Sequence, residues 1–328
     1  MKHRYCALLT LSAALASSAT YAAPYSFQPI AFPGDTFTQL LGINNAGTIV
    51  GYHGANTSPA NPNKGFEITQ PGTFTDMNFP NSAQTQVVGI NSKGDTAGFY
   101  VDVSGATHGF LNNAGIFANI DAPNTAFNQL LGLNDLGQSA GYASADPTGA
   151  TKQQAFVRQA DGGFAFIRKL LPPGVGNSQA TDINNNGLVS GFYLKDASTS
   201  LGFLIDSKTG SVITLDVPGS TFTQALGLND AGIVDGFYND ANGLAHGFLY
   251  RAGNFQTIDV PGALQTTING INDKGQIVGF FLDAQENTVG FVGTPAKVPE
   301  PGSLFLLAGG LLGLSRMTRK ESRISLSS

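Results

Sequence analysis

One eleven-residue phrase recurs six times along this chain and constrains its fold more than any other feature. The copies are GINNAGTIVGY at 42–52, GINSKGDTAGF at 89–99, GLNDLGQSAGY at 132–142, DINNNGLVSGF at 182–192, GLNDAGIVDGF at 227–237 and GINDKGQIVGF at 270–280. Their first Asn residues stand 43 to 50 residues apart. This period is typical of propeller arrays and is too long for the coils of a β-helix.

Each phrase predicts a β-hairpin. The Asn-Asp-Ala-Gly centre of the 227–237 copy is turn chemistry, because Asx side chains bond nearby backbone groups and Gly accepts a positive φ. One strand is predicted to end near Leu228, and the next to run from Ile233 through Tyr238. The 42 Gly residues and 23 Phe residues of the chain suit many short strands joined by tight turns.

Two further words accompany every phrase. The first is Gly-Phe or Ala-Phe followed by an apolar residue, and it starts at 65, 109, 155, 202, 247 and 290. The second is a strand that ends in proline, at Pro33, Pro80, Pro123, Pro172, Pro218 and Pro261. Each repeat therefore has four strands, in the order Gly-Phe, pre-Pro, Gly-x-Asn and Gly-aromatic.

The types of the first and last strands indicate that the repeats close into a ring. The first strand is of the pre-Pro type, from Phe27, and the last is of the Gly-Phe type, from Gly290. A strand missing from the first repeat would thus be supplied by the last. We predict an all-β fold, a six-bladed β-propeller closed by pairing of the C-terminal strand with the N-terminal blade.

The repeats resemble the HAF family of extracellular repeats. Residues 246–281 are the nearest copy, with His246-Gly247-Phe248 where the family has His-Ala-Phe, and His108 also keeps the His. The resemblance spans residues 24–293 and implies an extracellular repeat protein of undefined activity. It supplies no catalytic residues.

The N-terminus predicts export. Residues 1–22 combine a basic start, an apolar run and small residues before Ala23, as a secretory signal peptide does. The alternative is a buried N-terminal helix. The only cysteine, Cys6, lies in this segment, so the mature chain is predicted to have no disulfide and no thiolate metal site. The propeller domain is predicted to span 23–297.

The C-terminus resembles the PEP-CTERM sorting signal of Gram-negative bacteria. Pro299-Glu300-Pro301 is followed by an apolar span and then by the basic residues Arg316, Arg319 and Lys320. The resemblance implies processing by an exosortase and export alongside an extracellular polysaccharide. The uncharged stretch between Glu300 and Arg316 is shorter than the ~20 residues of a permanent spanning helix, so a temporary membrane anchor is predicted.

An ordinary membrane anchor and a C-terminal core helix are the alternatives for this segment. The sorting and transmembrane segment is assigned to 298–320, and residues 321–328 form a short basic and polar tail. The predicted partners are accordingly the export machinery and an exosortase, with extracellular polysaccharide as a further candidate.

Charge and motifs exclude several function classes. Residues 23–315 hold 21 acidic and 11 basic residues, so no basic patch is available for nucleic acid. H-E-x-x-H, G-x-S-x-G and Gly-rich phosphate loops are absent from the sequence. The Asp-rich link 239–243 lacks the distal Glu of a calcium loop. We predict no catalytic residue, no metal ligand and no cofactor.

A ring of glutamines is the candidate ligand mouth. Three residues before the first Gly position of five phrases stand Gln39, Gln86, Gln129, Gln179 and Gln224, with Thr267 in the sixth. The alternative is that each Gln bonds the backbone of the neighbouring blade and only makes the repeat regular. The fourth repeat breaks the symmetry with Lys169 and with Asp182 in place of Gly, so a ligand is most expected there.

These features predict an exported, exosortase-processed protein of the cell surface or extracellular matrix. Its propeller is predicted to be non-catalytic, with exopolysaccharide as a candidate ligand. The alternative is a propeller hydrolase or a lactonase-like enzyme, because a fold does not settle function.

Overall fold

The computed structural model describes residues 25–57, 61–70 and 72–296. The predicted signal peptide (1–22), the sorting segment (298–320) and the tail (321–328) lie outside the described residues. Within the described part, the chain forms 24 β-strands and one short 3₁₀ helix, Ile167–Leu170. The prediction of an all-β chain is confirmed.

The recurring phrase forms the first two strands of each group of four. The first strands are β2 (Phe37–Ile43), β6 (Gln84–Ile90), β10 (Phe127–Leu133), β14 (Ser178–Ile183), β18 (Phe222–Leu228) and β22 (Gln265–Ile271). The second strands are β3 (Ile49–Gly54), β7 (Thr96–Val101), β11 (Ser139–Ser144), β15 (Leu188–Leu194), β19 (Val234–Asn239) and β23 (Ile277–Leu282).

The other two words form the third and fourth strands. The third strands are β4 (Lys64–Gln70), β8 (Thr107–Asn113), β12 (Gln154–Arg158), β16 (Ser200–Asp206), β20 (Ala245–Arg251) and β24 (Thr288–Pro295). The fourth strands are β5 (Thr73–Asp76), β9 (Ile116–Ile120), β13 (Phe164–Phe166), β17 (Val212–Leu215), β21 (Asn254–Ile258) and β1 (Tyr25–Ile30).

Each four-stranded sheet begins on the Gly-x-Asn strand. The sheets are β6–β9, β10–β13, β14–β17 and β18–β21, together with a larger sheet that joins β2–β5 to β22–β24 and β1. The predicted grouping, in which each repeat begins on the Gly-Phe strand, is therefore wrong, because it divides the strands into sheets at the wrong point of the repeat. Antiparallel hairpin pairing decides the phase, because it ties each phrase to the Gly-Phe strand that follows it.

The larger sheet contains both ends of the described chain. Strand β1 pairs with β24, and Ser26 Oγ donates to the carbonyl of Thr294 at 3.3 Å. Among the described strands, the two halves of this sheet are joined by strand pairing at one position, where Phe37 of β2 pairs with Thr288 of β24. Thus the first strand of the chain completes the last group of four, whereas we had predicted the last strand to complete the first blade.

Six buried phenylalanines form the regular part of the core. They are the Phe of the Gly-Phe word on each third strand, and all are fully buried: Phe66, Phe110, Phe156, Phe203, Phe248 and Phe291. Each ring lies over the glycine of the neighbouring second strand. A Cβ added to Gly51, for example, would lie 3.0 Å from the Phe66 ring and 2.1 Å from the Gln39 carbonyl. Glycine is therefore required there by close approach.

The first strands contact one another in an unbroken circuit. Strand β2 packs against β6, and the contacts continue through β10, β14, β18 and β22 back to β2. The spacing is too tight for side chains: a Cβ on Gly42 would lie 2.7 Å from the Val88 carbonyl of the next sheet. Across the described residues, the model contains no helix with the length and apolarity needed to cross a membrane.

Candidate ligand-binding site

The phrase asparagine organises the turn after each first strand. In the first copy, Asn44 Oδ1 accepts hydrogen bonds from the backbone N–H groups of Ala46 and Thr48, each at 3.0 Å. Gly47 completes the turn with φ +90°. The predicted turn chemistry is confirmed, and it leaves the Asn side-chain amide free to donate elsewhere.

These amides link all six turns in a closed circle. Each Nδ2 donates to the backbone carbonyl of the next phrase asparagine, at distances of 2.9–3.4 Å. The order is Asn44, Asn91, Asn134, Asn184, Asn229, Asn272 and back to Asn44. All six side chains are buried. We call this set the asparagine ring.

Replacing one member of the asparagine ring by aspartate is expected to destabilise the fold. Asn134→Asp keeps the oxygen that caps its own turn but turns the donor toward the Asn184 carbonyl into an acceptor. A buried unpaired polar group costs about 1–3 kcal/mol, and more when it is charged. Urea unfolding should show this loss, whereas Asn254→Asp on the exposed fourth strand β21 should leave the free energy of unfolding nearly unchanged. Equal effects would contradict a structural role for the ring.

The first strands surround a cavity of about 280 Å³. Its middle wall is apolar in three consecutive sheets, with Leu41, Val88 and Leu131, and polar in two others, with Thr181 and Asn269. The volume is close to the lower end of the ~300–1,000 Å³ typical of small-molecule sites. We call this space the axial cavity.

The rim of the axial cavity is acidic. The residue after each ring asparagine supplies Asn45, Ser92, Asp135, Asn185, Asp230 and Asp273. Five of these side chains accept from the backbone N–H of the preceding sheet, as Asp135 does from Ser92 and Asp273 from Asp230, each at 2.8 Å. These bonds hold the three carboxylates in fixed positions at the opening.

Asp182 occupies the wall of the axial cavity where the other five sheets have glycine. Its carboxylate accepts from the backbone N–H of Ile183 at 2.8 Å and of Leu228, in the next sheet, at 3.0 Å. The side chain fits because a Cβ is missing at Gly132, where one would lie 2.4 Å from Asp182 Oδ1. Burial raises the pKa of Asp182 to about 7; its two backbone donors oppose this shift, and nearby Asp230 adds to it.

Asp235 is a second buried carboxylate beside this wall. It stands on β19 where other sheets bury Val50, Ala97 or Val278. Oδ1 accepts from the Gly227 N–H at 3.2 Å, and Oδ2 is buried with no hydrogen-bond partner among the described residues. Burial, and then the neighbouring Asp182, raises the pKa of Asp235 well above its usual value.

Asp235 also disturbs its own hairpin. In the first sheet Gly42 pairs with Val50, whereas β18 and β19 lose the corresponding Gly227–Asp235 pair. The carboxylate takes the Gly227 N–H instead. Sequence reasoning missed this residue. Only this copy of the phrase has an acid directly before its last Gly, but that pattern does not show that the side chain is buried.

The predicted mouth residues are only partly brought together. Gln179 and Gln224 line the axial cavity with Asp182, whereas Gln39, Gln86 and Gln129 are not among its lining residues. Gln39 accepts from the Tyr52 hydroxyl of its own sheet at 2.5 Å, and Gln179 donates to Gln153 of the preceding sheet at 2.9 Å. Neither contact is made to the backbone of a neighbouring blade, so both the ligand-mouth interpretation and the structural interpretation of the glutamines stay predictions.

Lys169 lies apart from Asp182. It is exposed on the 3₁₀ helix that follows the fourth strand β13, whereas Asp182 is on the first strand β14 and faces the axial cavity. The cavity-lining side chains that distinguish the fourth repeat from the others are therefore Thr181 and Asp182. Thr181 Oγ1 donates to the Ala225 carbonyl of the next sheet at 3.0 Å.

The three histidines of the described residues are held by carboxylates away from the axial cavity. His108 Nδ1 contacts Asp121 at 2.7 Å, and His246 Nδ1 contacts Asp259 at 2.9 Å. His53 pairs with Asp35 and stacks on Phe32. Across the described residues, no group of three or more His, Cys, Asp or Glu side chains is arranged to hold a metal ion.

The C-terminal segment matches a known family. Residues 297–320 match the PEP-CTERM protein-sorting motif, which covers the predicted sorting residues Pro299, Glu300, Pro301, Arg316, Arg319 and Lys320. The motif indicates an exported protein of a Gram-negative bacterium that an exosortase recognises at the membrane. This prediction is confirmed, while the resemblance of the repeats to the HAF family stays a prediction.

Solved structures with a similar fold are distant in sequence. TolB from Acinetobacter baumannii is 11% identical with a TM-score of 0.52, over 75% of this chain and 63% of the TolB chain. AofleA from Arthrobotrys oligospora is 10% identical with a TM-score of 0.50, over 82% of this chain and 86% of its own. Such likeness shows the fold alone.

A third similar structure is the β-propeller domain of the Trilobed protease from Pyrococcus furiosus. It is 10% identical with a TM-score of 0.45, over 78% of this chain and 95% of its own. The arrangement of the 24 described strands in several four-stranded sheets, whose first strands contact one another, is propeller-like. No curated protein matches the sequence.

Proposed function

We propose that this protein is an exported, exosortase-processed surface protein built as a closed, six-bladed β-propeller that binds a small ligand in its axial cavity. The asparagine ring carries the structural part of the proposal. Six hydrogen bonds that return to their starting residue are expected of a closed array, since an open array would leave its first and last turns unlinked.

The axial cavity carries the binding part. Gln179, Gln224 and Asn269 place side-chain amides around a space whose opposite wall is apolar, and Phe192 adds an aromatic face. Amides and carboxylates bond hydroxyl groups, and an aromatic or aliphatic wall packs against the apolar face of a sugar ring. The end of an extracellular polysaccharide chain is accordingly our candidate ligand, at the cell surface or in the surrounding matrix.

A hydrolase is the second candidate function. Asp182 and Asp230 both line the axial cavity, and burial and Asp230 raise the pKa of Asp182 toward the neutral range that suits a general acid. Paired carboxylates in unequal environments are what glycoside hydrolysis uses. However, both oxygens of Asp230 already accept from Asn185, which favours a structural role.

A polysaccharide-fragment binding screen with a blocked-cavity variant tests the proposal. Leu131→Trp fills the axial cavity from its apolar wall and should abolish binding of any fragment that the wild type retains. Ile116→Trp changes an exposed side chain of β9 and should bind as the wild type does. Binding that survives in the Leu131 variant, or no binding at all, would contradict the proposal. Cleavage of a bound fragment would favour the hydrolase.

A further inference from the structure

The carboxylates of the axial cavity have no basic partner among its lining residues. Asp135, Asp182, Asp230 and Asp273 line the space, and no Lys, Arg or His does. The ammonium group of Lys93 donates to the backbone carbonyl of Asp135 and not to its carboxylate. A ligand that enters this space meets three fixed negative charges at the rim and one acid in the wall.

A second, independent observation lies behind the wall. Asp235 Oδ2 is fully buried without a partner, directly beside Gly227, where an added Cβ would lie 2.3 Å from it and 2.9 Å from Gly270 Cα. Gly270 is itself part of the cavity wall. The carboxyl group behind the wall is therefore also without a cationic partner, although Asp235 is not among the residues that line the cavity.

The side chains that line the cavity fit an organic ammonium ion better than a metal ion. A metal ion needs several carboxylate or imidazole ligands that converge on one point, and the described residues contain no such group. Leu41, Val88, Leu131 and Leu226 add apolar side chains to the lining of the same cavity. An ammonium group on an apolar or sugar body fits both the acidic and the apolar side chains of the cavity. Its three N–H groups donate to carboxylates, while its body contacts the aliphatic side chains.

We propose that the axial cavity selects a primary ammonium ion and that Asp182 is the residue that binds the ammonium group. This inference deepens the proposed function, on which it rests, by naming the charged group of the ligand. The fourth repeat accordingly has Asp182 in place of glycine because the carboxylate recognises the ligand. Gln179 and Gln224 of the same wall supply neutral hydrogen bonds.

Binding should depend on pH in a definite direction. An ammonium ion prefers the ionised carboxylate, and burial raises the pKa of Asp182 to about 7. Affinity should therefore fall by about tenfold between pH 8 and pH 6, as the carboxylate takes up its proton. The other groups that face Asp182 or the cavity are Asp230, Asp235, Asp135 and Asp273, with Lys93 at the rim.

Calorimetric titration of the purified full-length protein tests the proposal with four probes. n-Butylammonium and 2-aminoethyl glucoside carry an ammonium group that is protonated at pH 8, on an aliphatic and on a sugar body, and 1-butanol and glucose are their neutral counterparts. We expect each ammonium probe to bind at least about tenfold more tightly than its counterpart at pH 8. Equal affinity within both pairs, or displacement of the ammonium probes by millimolar calcium, would overturn the proposal.

Two variants assign the site to Asp182. Asp182→Asn keeps the size of the side chain and should lose most of the ammonium preference and its pH dependence. Asp76→Asn makes the same change of charge on the exposed strand β5 and should behave as the wild type. An unchanged preference in Asp182→Asn would refute its role. Glucose or polysaccharide binding without any ammonium preference would refute this inference and leave the proposed function standing.

Discussion

Removal of residues 286–328 is expected to lower the free energy of unfolding by several times the effect of removing residues 298–328. The longer deletion takes away all of β24, which lies between β23 and β1. The shorter deletion leaves every described strand in place. Because the two variants differ by only 12 residues (286–297), chain length is a poor alternative explanation.

The expected loss follows from what β24 covers. Phe291 is fully buried and meets Phe27 of β1 edge to face, with ring centroids 5.5 Å apart. Without β24, strand β1 has no partner and β23 becomes an exposed edge, which promotes aggregation. Truncating a single buried Phe to Ala already costs about 3–5 kcal/mol, a large part of the ~5–15 kcal/mol that stabilises a typical domain.

Urea and thermal unfolding of both deletion variants, each begun at Ala23, measure the difference. Phe291→Ala should reproduce part of the loss, and Phe166→Ala, which truncates a partly exposed ring on β13, should reproduce little of it. If the two deletion variants unfold at the same urea concentration, β24 does not hold the ends of the chain together, and an open array becomes the better description.

Replacement of Asp235 by valine is expected to stabilise the protein, by several kcal/mol at pH 8. The site is a core position that holds Val50 and Val278 in two other sheets, and the carboxylate there has one oxygen without a partner. Valine fills the space with apolar atoms and removes the cost of burying a charge. It should also restore the hairpin pairing that Gly227 lacks.

The gain should be smaller at pH 5. The pKa of Asp235 is raised well above 3.8 and that of Asp182 to about 7, so the folded state binds protons that the unfolded state has released. The contribution of these two carboxyl groups to wild-type stability is therefore fully present below their unfolded pKa and is lost as pH rises through the folded pKa values. The Asp235→Val variant has lost one of these groups and should fall less steeply.

Urea unfolding of wild type and variant at pH 5 and pH 8 gives the four free energies required. Asp76→Val is the matched control, since it removes a carboxylate from the exposed strand β5, and it should alter stability by less than about 1 kcal/mol at either pH. A variant that is less stable than wild type at pH 8 would show that the Asp235 carboxylate has a stabilising partner.

Much of the fold was predictable because each repeated word has one physical role. The phrase asparagine and glycine make the turn, and the Phe of the Gly-Phe word fills the core. The phase of the sheets was not predictable from the words alone, since four strand types that recur in a fixed order can be divided into sheets at any of four points. Hairpin pairing decides it.

The candidate site was predictable only in part. Asp182 was visible as a departure from glycine, and it does line the axial cavity. Lys169 was close to it in sequence, but a fourth strand and the next first strand lie at opposite edges of their sheets. Asp235 was overlooked because an acid in a turn-rich, acidic sequence gives no sign that its side chain is buried.

The pairing of β1 with β24 has a consequence for the order of events during synthesis. The strand that β1 requires is the last of the described strands to be made, so β1 must wait through translation and export of all the others. The sorting motif begins at residue 297, directly after β24 ends at Pro295. The strand that completes the final sheet and the signal for the exosortase therefore leave the ribosome together, and sorting cannot begin on a chain whose fold still lacks residues.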